Sequence, residues 1–401
     1  MPAVIVISAL VMLLILFAFW MRTLDFQYHN HYRDLKQSRL DLHSVANLYM
    51  CDSMLLSRAD SSRISLYEEG KDEITVKRKR WGLYEAVSIR HSKEDPFGRI
   101  HMMGKAEESS CRAALWLCDR NIPLTLAGNT SIKGTVYIPQ NGIKSIEIAK
   151  RKYHGESPAL NQMRVSDRSM PKVNQAFWTY LDSLKQAYET SVDYRLIEEQ
   201  YVSFDKPTVF SHCHTCKETC LRQNGNIVLF GDRLVISKES DIHDILILAR
   251  SVVIESGFRG NAQIICADSI LLKPHVELTY PSGLFVDSSG QNAPCVTIGE
   301  YCKVAGYVGV HWSEKYHYVL ENACCRLRQN ALVCGLVYVD GSCEINGCIK
   351  GAAYIKDCFY REGHSFYAET LFDVSIERSD SLSYPILLEG PYRRQIIKNL
   401  Y

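Results

Sequence analysis

Six apolar residues stand at intervals of six between Asp241 and Tyr280: Leu246, Val252, Phe258, Ile264, Ile270 and Val276. A period of six matches neither the 3.6-residue turn of an α-helix nor the strict alternation of a half-buried strand. It matches a parallel β-helix, in which each short strand turns a corner and the next coil stacks on it. No coil of this kind buries its apolar face alone, so the beat implies a stack. Ile298, Val304 and Val310 keep the beat in a shifted register. A third block interleaves Val333, Val339 and Ile345 with Val337, Cys343, Ile349 and Ile355. The shifts between blocks predict loops over 280–294 and 312–328. A repeat of this type is more often a scaffold than a catalytic pocket.

The N-terminus adds a second constraint. No charged residue occurs from Ala3 to Trp20. As a helix this span measures about 27 Å, close to the hydrocarbon thickness of a bilayer. Trp20 falls where an interfacial aromatic belongs. No Lys or Arg precedes the span, and Phe17-Ala18-Phe19-Trp20 is too bulky for a small-x-small cleavage site. The expectation is an uncleaved single-pass anchor in a bacterial inner membrane, with lipid its partner through residues 3–20. A cleaved signal and a buried core helix are the alternatives. Arg22, Arg33, Lys36 and Arg39 follow the span, which favours a cytoplasmic body, although a long domain can cross against such a bias. Tyr32, Leu35, Leu42, Val45, Leu48 and Cys51 then recur at roughly helical spacing. They predict an amphipathic stem to about Leu56, packed on a partner helix or on the chain's own body.

The expected fold class is mainly β: an N-terminal transmembrane helix and amphipathic stem, followed by an interrupted parallel β-helix (solenoid) with a helical insertion. The anchor covers 1–21 and the stem 22–60. A β-rich region over 61–150 contains a hairpin around Glu69–Asp72. Its period-2 stretch from Leu124 to Pro139, with glycines at corners, suits first rungs of the solenoid. Residues 151–224 hold the helical insertion, with Val173, Phe177, Leu181, Leu184 and Tyr188 on one face, and a Cys/His loop. The parallel β-helix covers 225–375, and 376–401 is a cap or tail.

Charge is nearly balanced, with 46 basic and 45 acidic residues, so no nucleic-acid partner is expected. The basic run Lys77–Arg80 reads as a solvated strand edge. Fifteen cysteines leave at least one thiol free or paired between chains. Cys266, Cys302, Cys334, Cys343, Cys348 and Cys358 lie among apolar neighbours and read as small core hydrophobes. The densest ligand cluster is His212, Cys213, His214, Cys216 and Cys220. Cys213 and Cys216 have the spacing of a zinc knuckle, which Cys220 or a histidine would complete. A local disulfide and free thiols are the alternatives. Asp241 and Asp244 flank His243, and no acidic stripe of the kind a polysaccharide-cleaving face would need is visible. No GxxxxGK[ST], GxSxG or HExxH motif occurs. No cofactor is expected.

Several resemblances bear on function. Val337-Tyr-Val339-Asp-Gly341-Ser-Cys343-Glu-Ile345-Asn-Gly347-Cys-Ile349-Lys-Gly351 resembles the bactofilins, polymer-forming bacterial β-helix scaffolds, over roughly the last third of the chain. Lys77–Leu83, with Asp119–Leu124 and Ala127-Gly128, resembles an uncharacterised family of bacterial single-span membrane proteins. The layout of an apolar N-terminal helix running into a stem resembles minor pilins, but without a basic leader or an acidic residue near the start of the span. Val296-Thr-Ile298-Gly299-Glu-Tyr-Cys302-Lys-Val304 resembles a repeat of left-handed β-helix acyltransferases, which implies a histidine general base. His311 closes that block and is the catalytic candidate, with no clear carboxylate partner beside it in the sequence. The expected function is a non-enzymatic scaffold of the cell envelope that self-associates or holds an envelope partner through stem and solenoid. A glycan-modifying or glycan-binding protein is the alternative, and a pilus or secretion-system accessory component a third reading.

Overall fold

The computed structural model describes residues 2–51, 61–67, 73–91, 98–106, 113–190, 194, 196–197, 199–214, 218–290, 293–313, 324–379, 381–390 and 392–400. They form two compact units, Met1–Lys77 with Ser88–Arg99, and Arg78–Val87 with Ile100–Tyr401. The fold is mainly β, with one long apolar helix at the N-terminus.

In the first unit, helix α1 runs unbroken from Pro2 to Cys51, so the segments expected as anchor and stem are one element. Its apolar part is long enough to cross a membrane and is solvent-exposed throughout. The helix first buries side chains at Asp41, Leu42, Val45, Ala46 and Tyr49, spaced as one helical face. Leu48, expected on that seam, is 47% exposed, because it lies away from the face through 42, 45 and 49. The proposed stem end near Leu56 lies outside the described residues. Asp41 accepts hydrogen bonds from Gln37 Nε2 (2.9 Å) and Tyr67 Oη (3.0 Å). Strands β1 (Ser61–Ser65) and β2 (Glu73–Trp81) pair antiparallel, Ser61 opposite Lys77 and Ser65 opposite Glu73, as the hairpin pattern predicts. The turn between them lies outside the described residues.

The second unit is built mainly on parallel strand pairing, with an inner apolar cluster and a second one outside it. Val228, Leu246, Gln263, Gly283, Tyr307, Leu336 and Ala352 are cross-strand neighbours in succession. The step from Val228 to Leu246 is three six-residue units, and so is that from Val252 to Ile270. Three hexad intervals thus equal the cross-strand step in these two rows. Val252, Phe258, Ile264, Ile270 and Val276 all lie in the inner core. Leu246 does not. It faces a second, outer cluster, while its neighbours Ile245 and Ile247 point inward. Strand alternation decides this, because Leu246 must face opposite to both. Cys266, Cys302, Cys343 and Cys358 are buried, as small core hydrophobes should be, whereas Cys334 and Cys348 are half-buried. The loop expected over 280–294 is mostly strand, since Glu277–Ser288 is continuous.

The order of rows differs from the order of sequence. Residues 113–165 do not open the stack. Ala113–Leu117 pairs with the late strand Cys348–Glu362, with Leu115 opposite Ala353. Thr135–Ile138 adds beyond it, and Met163–Val165 beyond that. The strand Val209–Cys213, which follows in sequence, pairs with Ile227–Ile236 near the opposite end of the rows. The chain must therefore return along the outside, and helix α2 (Gln175–Glu189) lies on that return. The Asn174 side chain caps it by accepting from the Ala176 amide (2.9 Å). Phe177, Leu181 and Leu184 are buried in the outer cluster with Phe230, Leu248, Ile265 and Phe285. Of the expected face, Phe177, Leu181 and Leu184 are buried, Tyr188 is half-buried and Val173 precedes the helix, which is only a small part of 151–224.

Strand β3 (Tyr84–His91) follows β2, and Gly82 lies in the turn between them at φ +60. The buried Gln263 amide holds that turn. Its Oε1 accepts from the Leu83 amide (2.9 Å) and Tyr307 Oη (3.0 Å), and its Nε2 donates to the Trp81 carbonyl (2.8 Å). The basic run is not a solvated edge throughout. Lys79 is half-buried, bonded to Thr208 Oγ1 and to Asn226 Oδ1 (2.7 Å), with its ammonium 4.7 Å from the Trp81 ring centre. Burial lowers its pKa to about 8. Part of 376–401, expected as a cap or tail, is a strand. Strand β4 (Arg99–Ala106) takes Arg393–Asn399 as an antiparallel neighbour.

Gly306, Gly335 and Gly351 form a column with φ of +140, +145 and +145. A Cβ on Gly335 would collide with the Gly306 carbonyl of the preceding row. Gly335→Ala is expected to destabilise the chain by about 3 kcal/mol through backbone strain alone. Chemical denaturation against the parent protein measures the loss, and an unchanged midpoint would contradict the close packing of these rows.

Candidate functional site

Val286 and Val310 point into the core, so the next residues along, Asp287 and His311, point out. Parallel register then sets the two side by side on neighbouring strands. His311 Nδ1 lies 2.8 Å from Asp287 Oδ1. The histidine thus has the carboxylate partner that was not visible in the sequence. Two residues of α2, seven apart and so on one helical face, complete the cluster. Lys185 Nζ donates to Asp287 Oδ2, and the Trp178 ring packs on the imidazole with centroids 4.5 Å apart at 53°. Side-chain exposure is 23% for His311 and 11% for Asp287. Burial pushes the Asp287 carboxyl up, but the hydrogen bonds from His311 and Lys185 outweigh it and hold the pKa below the usual value. A carboxylate that accepts from Nδ1–H leaves Nε2 as the basic nitrogen, the arrangement a general base uses. Beside the cluster, Lys185 and Asp287 line a cavity of about 250 Å³ together with Leu181, Tyr188, Leu248 and Ile265. Asp287, Lys185 and Trp178 escaped the sequence reading because Asp287 fell in an expected loop. The row length that aligns it with His311 is set by inserts.

The Cys/His cluster is not gathered on one side. Cys213 belongs to the inner core, whereas His212 faces outward, with its ring 6.2 Å from that of Tyr188. His212 stacks on His214 instead, two residues on, with centroids 4.1 Å apart. Burial lowers the His212 pKa, and the charge of His214 adds to this. Cys220 is exposed and its Sγ lies 3.6 Å from the Glu239 carbonyl. Cys216 lies outside the described residues. Among the described residues no set of three ligands is placed to hold a metal ion. Other acidic groups are taken up in pairs: His243 with Asp241 (2.9 Å), Arg250 with Asp268 (2.7 Å), and Lys398 with Asp244 (2.6 Å).

No protein-family model matches the chain, and no curated protein matches it. Among solved structures, it aligns with the crystal structure of the competence-associated pilin ComZ from Thermus thermophilus. The identity is 10%, the TM-score 0.24, and the alignment covers 92% of this chain and 95% of that one. A score that low carries no argument about fold or activity.

One buried acid outside these clusters has a measurable consequence. Glu369 is almost fully buried beside Asp357 and Cys358, and Arg120 Nε donates to Asp357 Oδ1 (2.8 Å). Burial, reinforced by the charge of Asp357, raises the Glu369 pKa from 4.5 to about 8. The folded chain therefore holds this proton more tightly than the unfolded chain. The stability it contributes is full below about pH 4.5 and is lost as pH rises through about 8. The unfolding free energy read from denaturation is expected to fall across that window, at up to about 1.4 kcal/mol per pH unit. Glu369→Gln is expected to flatten the dependence. An equal slope in parent and variant would assign the titration to another group.

Proposed function

We propose that the chain is a membrane-anchored structural protein of the bacterial cell envelope whose body, an interrupted parallel β-helix, acts as a scaffold without catalysis. The observation that carries this reading is the state of the row ends. Met163–Val165 and Glu199–Val202 each pair on one side only among the described residues. Val165 is 66% and Leu160 87% exposed near one end, and Tyr201 is 64% exposed near the other. Strand edges with exposed apolar side chains are templates for further pairing. A second copy would extend the stack by the parallel pairing already used within it. The apolar span of α1 supplies the hold on lipid. The resemblance of residues 337–351 to bactofilins points the same way.

The full-length chain in detergent is expected to associate as its concentration rises. Val165→Asp puts a charge at an exposed edge position, so the fold should survive while association weakens about tenfold or more. Analytical ultracentrifugation reads both. A chain that stays monomeric at every concentration and captures no envelope partner removes the support for this reading.

The His311–Asp287 pair favours a second reading, an envelope protein that acts on glycans by acyl transfer or cleavage. His311 Nε2 would take the proton from an attacking hydroxyl. In a glycan-acylation assay His311→Ala would lower the rate by about 10²–10⁴-fold. Lack of any turnover by the parent chain would leave the pair as a clasp that fastens α2 to the strands. The unbroken helix over 2–51 also suits a pilus or secretion-system accessory component, which co-purification with an inner-membrane assembly platform tests.

A further inference from the structure

The outer column covered by α2 continues beyond that helix as aromatic residues. Phe285, Gly309, Tyr338, Tyr354, Trp116 and Tyr137 are successive cross-strand neighbours. The rings of Trp116 and Tyr137 lie near-parallel with centroids 4.5 Å apart, and those of Trp116 and Tyr354 near-parallel at 6.3 Å. Tyr354 is buried, while Trp116 and Tyr137 are only half-buried. The three rings line a cavity of about 350 Å³, within the range of small-ligand sites.

The other lining groups decide what chemistry fits. They include two ammonium groups, Lys105 and Lys172, and two carboxylates, Asp167 and Glu389. Lys105 is buried, with its ammonium 5.7 Å from the Tyr392 ring centre, and the other three are exposed. The charges cancel, so an anion such as phosphate or a uronate meets attraction and repulsion of similar size. A lipid chain would strip water from the three exposed charged groups, at several kcal/mol for each that is left unpaired. A neutral, hydroxyl-rich ligand satisfies both signs at once. Its hydroxyls donate to Asp167 and Glu389 and accept from Lys172, and its C–H surfaces pack against the exposed parts of the half-buried Trp116 and Tyr137 rings. We propose that this cavity, lined by Trp116, Tyr137 and Tyr354, binds a neutral saccharide. The proposal is independent of the scaffold reading, since it needs neither a second copy nor an open strand edge.

Saturation-transfer NMR on the full-length chain tests it, in lauryldimethylamine oxide, a detergent without a sugar headgroup. Cellohexaose, mannohexaose and N-acetylchitohexaose serve as probes. At least one is expected to bind at concentrations of about 1 mM. The double variant Asp167→Asn, Glu389→Gln changes only exposed side chains and is expected to weaken that binding about tenfold. Tyr137→Ala, with an unchanged melting curve as its control, is expected to abolish it. The assignment is overturned if none of the three probes binds, if binding survives both variants, or if hexagalacturonate or inorganic phosphate binds more tightly than the neutral probes.

Discussion

The pairing of Ala113–Leu117 on Cys348–Glu362 is the constraint from which most of the second unit follows. It places residues 113–165 after the late rows rather than before the early ones. The chain then has to travel back along the outside before Val209–Cys213 can pair with Ile227–Ile236. That return creates a second apolar layer. Phe177, Leu181 and Leu184 of α2 cover Phe230, Leu248, Ile265 and Phe285, outward residues that would otherwise face water. Fully burying side chains of this size is worth ~1.5–3 kcal/mol each, so the outer layer is no minor addition to the inner core. The same return brings Trp178 and Lys185 onto His311 and Asp287.

The inner core was the most legible part of the sequence. Val252 through Val276 recur every six residues and all lie in the inner core, and three such intervals separate Val252 from its cross-strand partner Ile270. Leu246 shows the limit of that reading. It keeps the beat in sequence, yet it faces α2, because the strand Ile245–Ile254 is apolar on both faces. Where both faces are covered, apolar character no longer marks which one points inward. The helical face of α2 was legible from its 3.6-residue spacing, but what it covers was not.

The candidate site was legible only in part. His311 stood out by position, whereas its carboxylate lay in an expected loop that proved to be strand. Lateral neighbours in a parallel stack are set by the length of the whole intervening row, including its inserts, and no local pattern records that sum. The Cys/His cluster shows the converse. His212 and Cys213 are adjacent in sequence, and strand alternation turns them to opposite sides. Closeness along the chain suggested shared ligation where the backbone separates the two groups.

The crossing of early and late segments also governs the order in which this protein can be made. Residues 113–165 emerge from the ribosome long before Cys348–Glu362, the strand on which they rest, has been synthesised. Their apolar residues Leu115, Leu117, Val136 and Ile138 must wait without a template, so folding cannot proceed steadily from the first rows to the last. Domains usually fold as units during synthesis, and contacts this distant in sequence form slowly. The nascent body therefore passes through a stage in which α1 is complete while the surfaces it precedes are still uncovered.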